Sequence, residues 1–97
     1  MALSQTEIQG KLRGIPGWEY TKNKAIQKKF SFADFKEALA FVNQVGELAE
    51  KSDHHPDIVI NYNKVTLISW THTAGGVTAK DFDLAGHIEK IGKTENT

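Results

Sequence analysis

The segment Asp57-Ile58-Val59-Ile60-Asn61-Tyr62-Asn63-Lys64-Val65-Thr66-Leu67-Ile68-Ser69-Trp70-Thr71 holds two runs of β-forming residues around a polar pair. Asp57 to Tyr62 and Val65 to Thr71 therefore read as an antiparallel hairpin turning at Asn63-Lys64. Ile58 and Ile60 oppose Val59, while Val65 and Leu67 oppose Ile68 and Trp70, so both strands are apolar on two faces. Such strands are either central in a sheet or covered by a partner on the second face.

Upstream, the period changes from two to three and four. Ser31 can cap a helix with Asp34 at its third position, and Phe32, Phe35, Leu39, Val42, Val45 and Ala49 form an apolar stripe. This helix should end near Ser52, because Pro56 pushes His55 toward extended backbone. Some twenty residues at 1.5 Å each would span roughly 30 Å.

Before it, Trp18 to Thr21 and Ala25 to Phe30 read as two strands joined around Lys22-Asn23-Lys24. Ser4-Gln5-Thr6-Glu7 is a capping box for a first helix from Gln5 to Arg13, which Gly14-Ile15-Pro16-Gly17 ends. Beyond the hairpin, Ala74-Gly75-Gly76 breaks the chain. Thr78 can then cap a last helix with Asp81 at its third position and Phe82, Ala85, Ile88 and Ile91 on its apolar face. Gly92 to Thr97 reads as a polar, frayed tail.

The order is helix, strand, strand, helix, strand, strand, helix. Short connections between paired strands give an antiparallel sheet, and three amphipathic helices must cover one of its faces. The expected fold is α+β, a two-layer four-stranded antiparallel sheet with three helices on one face, over residues 1–97 as a single domain.

Ninety-seven residues are near the small end of what folds alone, and such a chain buries only about two-thirds of its unfolded surface. With the two-sided hairpin, this predicts a homodimer or homotetramer. Twelve basic and twelve acidic residues give zero formal net charge, which argues against nucleic-acid binding through a basic stripe. There is no cysteine, so thiol nucleophiles, disulfides and cysteine-ligated metals are excluded. No secretory signal and no membrane-length apolar run is visible, so a soluble cytoplasmic protein is expected.

Three of the four histidines stand close in sequence: His54-His55 before Pro56, and His72. Imidazoles with nearby carboxylates can give and take protons near pH 7. The order Glu50-x3-His54-His55-Pro56-x5-Tyr62-x9-His72-x8-Asp81 resembles the signature of the pterin-4a-carbinolamine dehydratases, and the likeness runs from Gly17-Trp18 to about Ile91.

The resemblance implies the same α+β sheet fold and dehydration of 4a-hydroxytetrahydropterin to quinonoid dihydropterin. No cofactor or metal is implied. It makes His54, His55 and His72 the candidate catalytic residues, with Asp81 and Trp18 beside the pterin. An aromatic amino acid hydroxylase is the implied metabolic neighbour. Animal members also bind hepatocyte nuclear factor 1, and some relatives serve other pterin pathways such as molybdopterin metabolism, so a dimerisation module or a pterin-binding protein is the alternative.

Each candidate also has an ordinary reading. Asp81 can simply complement the dipole of the last helix. Glu50 can orient His54 from the preceding turn or be a solvated charge, and Asp53 can be a turn residue. Trp18 and Tyr62 can be packing residues. Trp70 shares a strand face with His72 where the family often has a small residue. A metal site built from the histidines with Asp53 or Asp57 is disfavoured, because adjacent histidines rarely converge on one ion and no His-x3-His spacing occurs. His87 lies outside the pattern.

Overall fold

A computed structural model describes residues 2–95, with side chains through residue 91. Its elements run α1 (Gln5–Leu12), β1 (Glu19–Tyr20), β2 (Ile26–Ser31), α2 (Phe35–Ser52), β3 (Asp57–Asn61), β4 (Lys64–Ser69), a 3-10 turn (His72–Ala74) and α3 (Ala79–Glu95). All four strands are antiparallel in one sheet of order β1-β2-β4-β3. The α+β architecture and its element order are those read from the sequence.

Register sorts the side chains. Ile26 pairs with Ser69, Lys28 with Leu67 and Phe30 with Val65, so these residues share one sheet face. Ile26, Phe30, Val65 and Leu67 are buried there with Ile8 of α1, Ala38, Phe41 and Val45 of α2, and Leu84 and Ile88 of α3. Phe41 is the centre, with ring centroids 4.8 Å from Phe30 and 5.0 Å from Phe32. The other face carries Gln27, Thr66, Ile68 and Val59. Central β4 accounts for one two-sided apolar strand. β3 is an edge, with Val59 exposed.

Four local expectations need correction. The cap of α2 is Asp34, which accepts the Glu37 N–H at 2.9 Å, because Ser31 is still paired in β2 with Lys64. The apolar stripe is rotated accordingly: Ala38, Phe41, Val45 and Ala49 are buried, while Phe35 and Leu39 are 46% and 40% exposed. The hairpin turns at Tyr62-Asn63, with Tyr62 in the left-handed region at φ 54°. It is 66% exposed, so it is not a packing residue. α3 continues through the supposed frayed tail to Glu95, and residues 96 and 97 lie outside the described residues.

The capping box of α1 is formed, with Ser4 Oγ accepting from Glu7 N–H at 3.2 Å and Glu7 Oε1 accepting from Ser4 N–H at 2.9 Å. Among the described residues no helix is long and apolar enough to cross a membrane.

Candidate functional site

Three element ends meet at Asp81. The first is the exit of α2. Asp53 takes a left-handed conformation at φ 51°, and the His54 N–H donates back to the Ala49 carbonyl at 3.1 Å, closing the helix in the manner of a Schellman motif. The chain leaves toward β3 through Pro56, and the two histidines diverge. His54 turns inward to place Nε2 2.6 Å from Asp81 Oδ1. His55 turns outward, with Nε2 2.5 Å from Glu50 Oε2.

The second is the end of β4. Ser69 Oγ donates to Asp81 Oδ1 at 2.5 Å, and Thr71 Oγ1 donates to Oδ2 at 2.9 Å. The third is the start of α3, where the Thr78 N–H reaches Oδ2 at 2.9 Å and the Thr78 hydroxyl accepts from Lys80 N–H at 3.2 Å. Asp81 is fully buried, yet each of its oxygens has two partners. A buried carboxylate is tolerable where its acceptor capacity is used in this way, and its place in the first turn of α3 adds a favourable dipole. The helix-terminus role expected for Asp81 is thus filled, and the same carboxylate holds the candidate His54.

With Asp81 accepting, Nε2 of His54 carries the hydrogen and Nδ1 is its remaining ring nitrogen. The His54 side chain is 12% exposed, whereas those of His55 and Glu50 are 55% and 79% exposed. Glu50 therefore orients His55 rather than His54. Their pair lines a groove of about 860 Å³ between α2 and β3, with Gly46, Pro56 and Ile58.

His72 opens the 3-10 turn directly after Thr71. Its ring stacks on Trp70, centroids 4.0 Å apart at 28°. The stack keeps an exposed imidazole in one orientation beside the residue that anchors Asp81. Among the described residues no three His, Asp or Glu side chains are gathered to hold a metal ion. Each of the two adjacent histidines is paired instead with one carboxylate.

Of the predicted residues, His54 is the one held at Asp81, while His55 pairs with Glu50 and His72 stacks on Trp70; Asp53 and Trp18 join neither arrangement. Asp53 is exposed and serves as the left-handed cap of α2. Trp18 is buried in the core, edge-on to Phe30, and its Nε1–H donates to Glu89 of α3 at 3.0 Å. His87 is exposed on α3. Sequence reasoning missed Ser69 and Thr71. Their signal was present: after Val65 and Leu67 the inward-facing period-two positions turn polar, and buried hydroxyls require a partner.

The model of the family Pterin 4 alpha carbinolamine dehydratase matches residues 1–91. The chain belongs to this family. A Picosynechococcus relative is 54% identical over 92% of this chain and 96% of its own length, and one from Sulfolobus acidocaldarius is 46% identical over 94% and 99%. Both carry the provisional name of pterin-4-alpha-carbinolamine dehydratase.

Among solved structures, a transcriptional coactivator/pterin dehydratase from Brucella melitensis superposes with TM-score 0.90 at 36% identity, covering 94% of this chain and 98% of its own. A pterin dehydratase-like RuBisCO assembly factor of the alpha-carboxysome has TM-score 0.66 at 18% identity, covering 76% and 87%. That second likeness shows the fold alone. Membership of a dehydratase family makes elimination of water the chemistry against which the Asp81 cluster is to be read.

Proposed function

We propose that this protein dehydrates 4a-hydroxytetrahydropterin to quinonoid dihydropterin by histidine acid–base catalysis. The observation that carries the reading is the His54–Asp81 pair, a nearly buried imidazole held at one nitrogen by a fully buried carboxylate.

The substrate carries a hydroxyl on C4a and a hydrogen on N5. In the elimination the C4a–O bond breaks with its electron pair and the leaving oxygen takes a proton, forming water. The N5 hydrogen leaves as a proton, and the electrons of its bond close the C4a=N5 double bond. We assign the base to His54 through Nδ1. As it becomes imidazolium, its new charge faces Asp81, the arrangement in which a carboxylate both fixes the tautomer and stabilises the cation. We assign the acid to His55, which is oriented by Glu50 and lines the open groove between α2 and β3. His72, held by Trp70, is placed against the pterin ring.

A hydroxylase that forms the carbinolamine is the reaction class upstream, and a reductase that returns the product to tetrahydropterin lies downstream. The reading places both in the cytoplasm. Phe35 and Leu39 on α2 and Val59 at the β3 edge offer exposed apolar surface for assembly as a homodimer or homotetramer. A sedimentation mass equal to the 10.8 kDa chain at micromolar concentration would defeat that part.

The decisive experiment follows the absorbance of 4a-hydroxytetrahydropterin generated in situ, using chelator-treated wild type, His54→Ala and His72→Ala. Acceleration by wild type and losses of about 10² or more in the variants are expected. Background decay with folded wild type would overturn the reading.

A second reading, a protein-interaction module, is supported by the exposed Phe35 and Leu39 and by the coactivator name of the Brucella relative. It predicts a partner retained by His54→Ala, which the dehydratase reading alone does not.

A further inference from the structure

On the sheet face away from the helices lies a cleft of about 470 Å³, lined by Lys22, Asn23, Lys24, Asp57, Ile68 and Trp70 beside buried Ala25. It is within the range of small-molecule pockets. Its floor is apolar and aromatic: Ile68 and Trp70 alternate with inward-facing Ser69, and Asp57 lies opposite Ile68 in the β3–β4 pairing. Its rim is the β1–β2 connection, which contributes two lysines, Lys22 and Lys24, to the lining. Neither Lys22 nor Lys24 forms an ion pair among the described residues, and neither does Asp57. Lys24 holds a left-handed backbone at φ 60°, a conformation disfavoured for a side-chain-bearing residue.

The cleft adjoins the candidate site at Trp70. Trp70, which forms its floor, is the ring on which His72 stacks at 4.0 Å. A flat heterocycle held at His72 therefore has one direction in which a substituent meets both an aromatic surface and two uncommitted cations. Asp57 opposes them with one negative charge, which leaves the lining net positive.

We propose that this cleft receives the C6 substituent of the pterin and selects substrates whose substituent ends in an anionic group, a phosphate ester or a carboxylate. The proposal rests on the dehydratase reading for the position of the ring. Trp70 supplies the apolar contact for the chain of the substituent, and Lys22 and Lys24 pair with its terminal charge. Two partly solvated pairs give a preference of about tenfold or more over a neutral hydroxyalkyl substituent, and it weakens as salt is raised.

The test compares kcat/KM for three 4a-hydroxytetrahydropterins, bearing phosphoalkyl, carboxyalkyl and hydroxyalkyl groups at C6. Wild type, Lys22→Gln/Lys24→Gln and Lys22→Arg/Lys24→Arg are used. The readout is the anionic-to-neutral ratio within each protein, so a general loss of activity does not mimic the effect. The expected ratio is about ten or more in wild type, near one in the Gln pair and recovered in the Arg pair.

A phosphate-only preference identifies the ester as the selected group. Equal preference for both anions identifies charge alone. A ratio near one in wild type, or an unchanged ratio in the Gln pair, overturns the proposal while leaving dehydration intact. Calorimetric titration with the stable 7,8-dihydropterin phosphoalkyl and hydroxyalkyl compounds decides the case in which no substrate is turned over. There the dehydratase reading fails, and the subsite stands only if the ester binds about tenfold more tightly to wild type and not to the Gln pair.

Discussion

Asp81→Asn tests the centre of the site because it preserves shape and removes only charge and one acceptor. The amide has two orientations. If its NH2 takes the place of Oδ2, it faces the Thr78 N–H, a donor that has no alternative, at 2.9 Å. If it takes the place of Oδ1, the Ser69 hydroxyl can rotate to accept from it, and His54 can accept at Nε2 by moving its hydrogen to Nδ1. The second arrangement is the less costly and puts His54 in the wrong tautomer for a base acting through Nδ1.

Loss of one charge-assisted hydrogen bond costs about 1.5–3 kcal/mol, and loss of charge in the first turn of α3 about 0.3–1 kcal/mol. The expected destabilisation is thus about 2–4 kcal/mol, enough to measure by urea unfolding in a chain that still folds. The expected fall in kcat is about 10² to 10⁴, with KM little changed, since the lost function is proton transfer. The ¹⁵N shifts of His54 should report the tautomer directly. A folded variant with kcat within about threefold of wild type, or an unchanged His54 tautomer, would refute this account of Asp81.

The remaining expectations concern the frame. Phe41→Ala should cost about 3–5 kcal/mol by chemical denaturation, whereas Leu39→Ala on the exposed side of the same helix should cost under about 1 kcal/mol; equal losses would restore the helix face read from the sequence. Glu89→Gln weakens the shared acceptor of Trp18 Nε1–H at 3.0 Å and Lys28 Nζ at 2.7 Å, and should lower stability by about 1–3 kcal/mol with a change in tryptophan fluorescence. The carboxyl of Glu7 is held below its ordinary pKa, first by the Ser4 backbone N–H and then by the Ser4 hydroxyl. A depressed folded value means its contribution is present above the unfolded value and lost as pH falls through the folded one. The stability difference between wild type and Glu7→Gln should therefore vanish on acidification; a difference that grows toward low pH would contradict the capping box.

How much of this was legible follows from what each signal measures. The hairpin, both amphipathic helices and the Ser4–Glu7 box were readable because period and cap chemistry are local. The α2 stripe was misjudged in part: Val45 and Ala49 are buried as expected and Phe32 packs on Phe41, but Phe35 and Leu39 satisfy a helical period as well as Ala38 and Phe41 do. Which face is buried depends on the angle at which β2 delivers the chain, and Ser31, still paired with Lys64, delays the helix by one turn. Trp18 shows the same limit. The family resemblance implied an aromatic beside a pterin; its indole N–H is held by Glu89, seventy-one residues on, and that pairing has no local trace.

The histidine pattern named the candidates but not how they pair. In sequence Glu50 precedes both histidines and was read as a partner of His54, whereas it pairs with His55. The left-handed turn at Asp53 divides them, sending His54 to Asp81 and His55 to Glu50. The division has a physical basis in where donors are scarce. Asp81 must be fully hydrogen-bonded because it is fully buried, and the hydroxyls of Ser69 and Thr71 with one backbone N–H leave one position on Oδ1 to fill.

His54 fills it, which commits Nε2 to Asp81 and leaves Nδ1 as the remaining ring nitrogen. The carboxylate that starts α3 is thus also the group that sets the histidine tautomer. Removing either partner should disturb folding and catalysis together, whereas His55 and His72, held only by Glu50 and Trp70 at the surface, should be replaceable with little effect on stability. That asymmetry separates a site built into the core from one laid on top of it, and comparing the unfolding midpoints of the three histidine-to-alanine variants reads it directly.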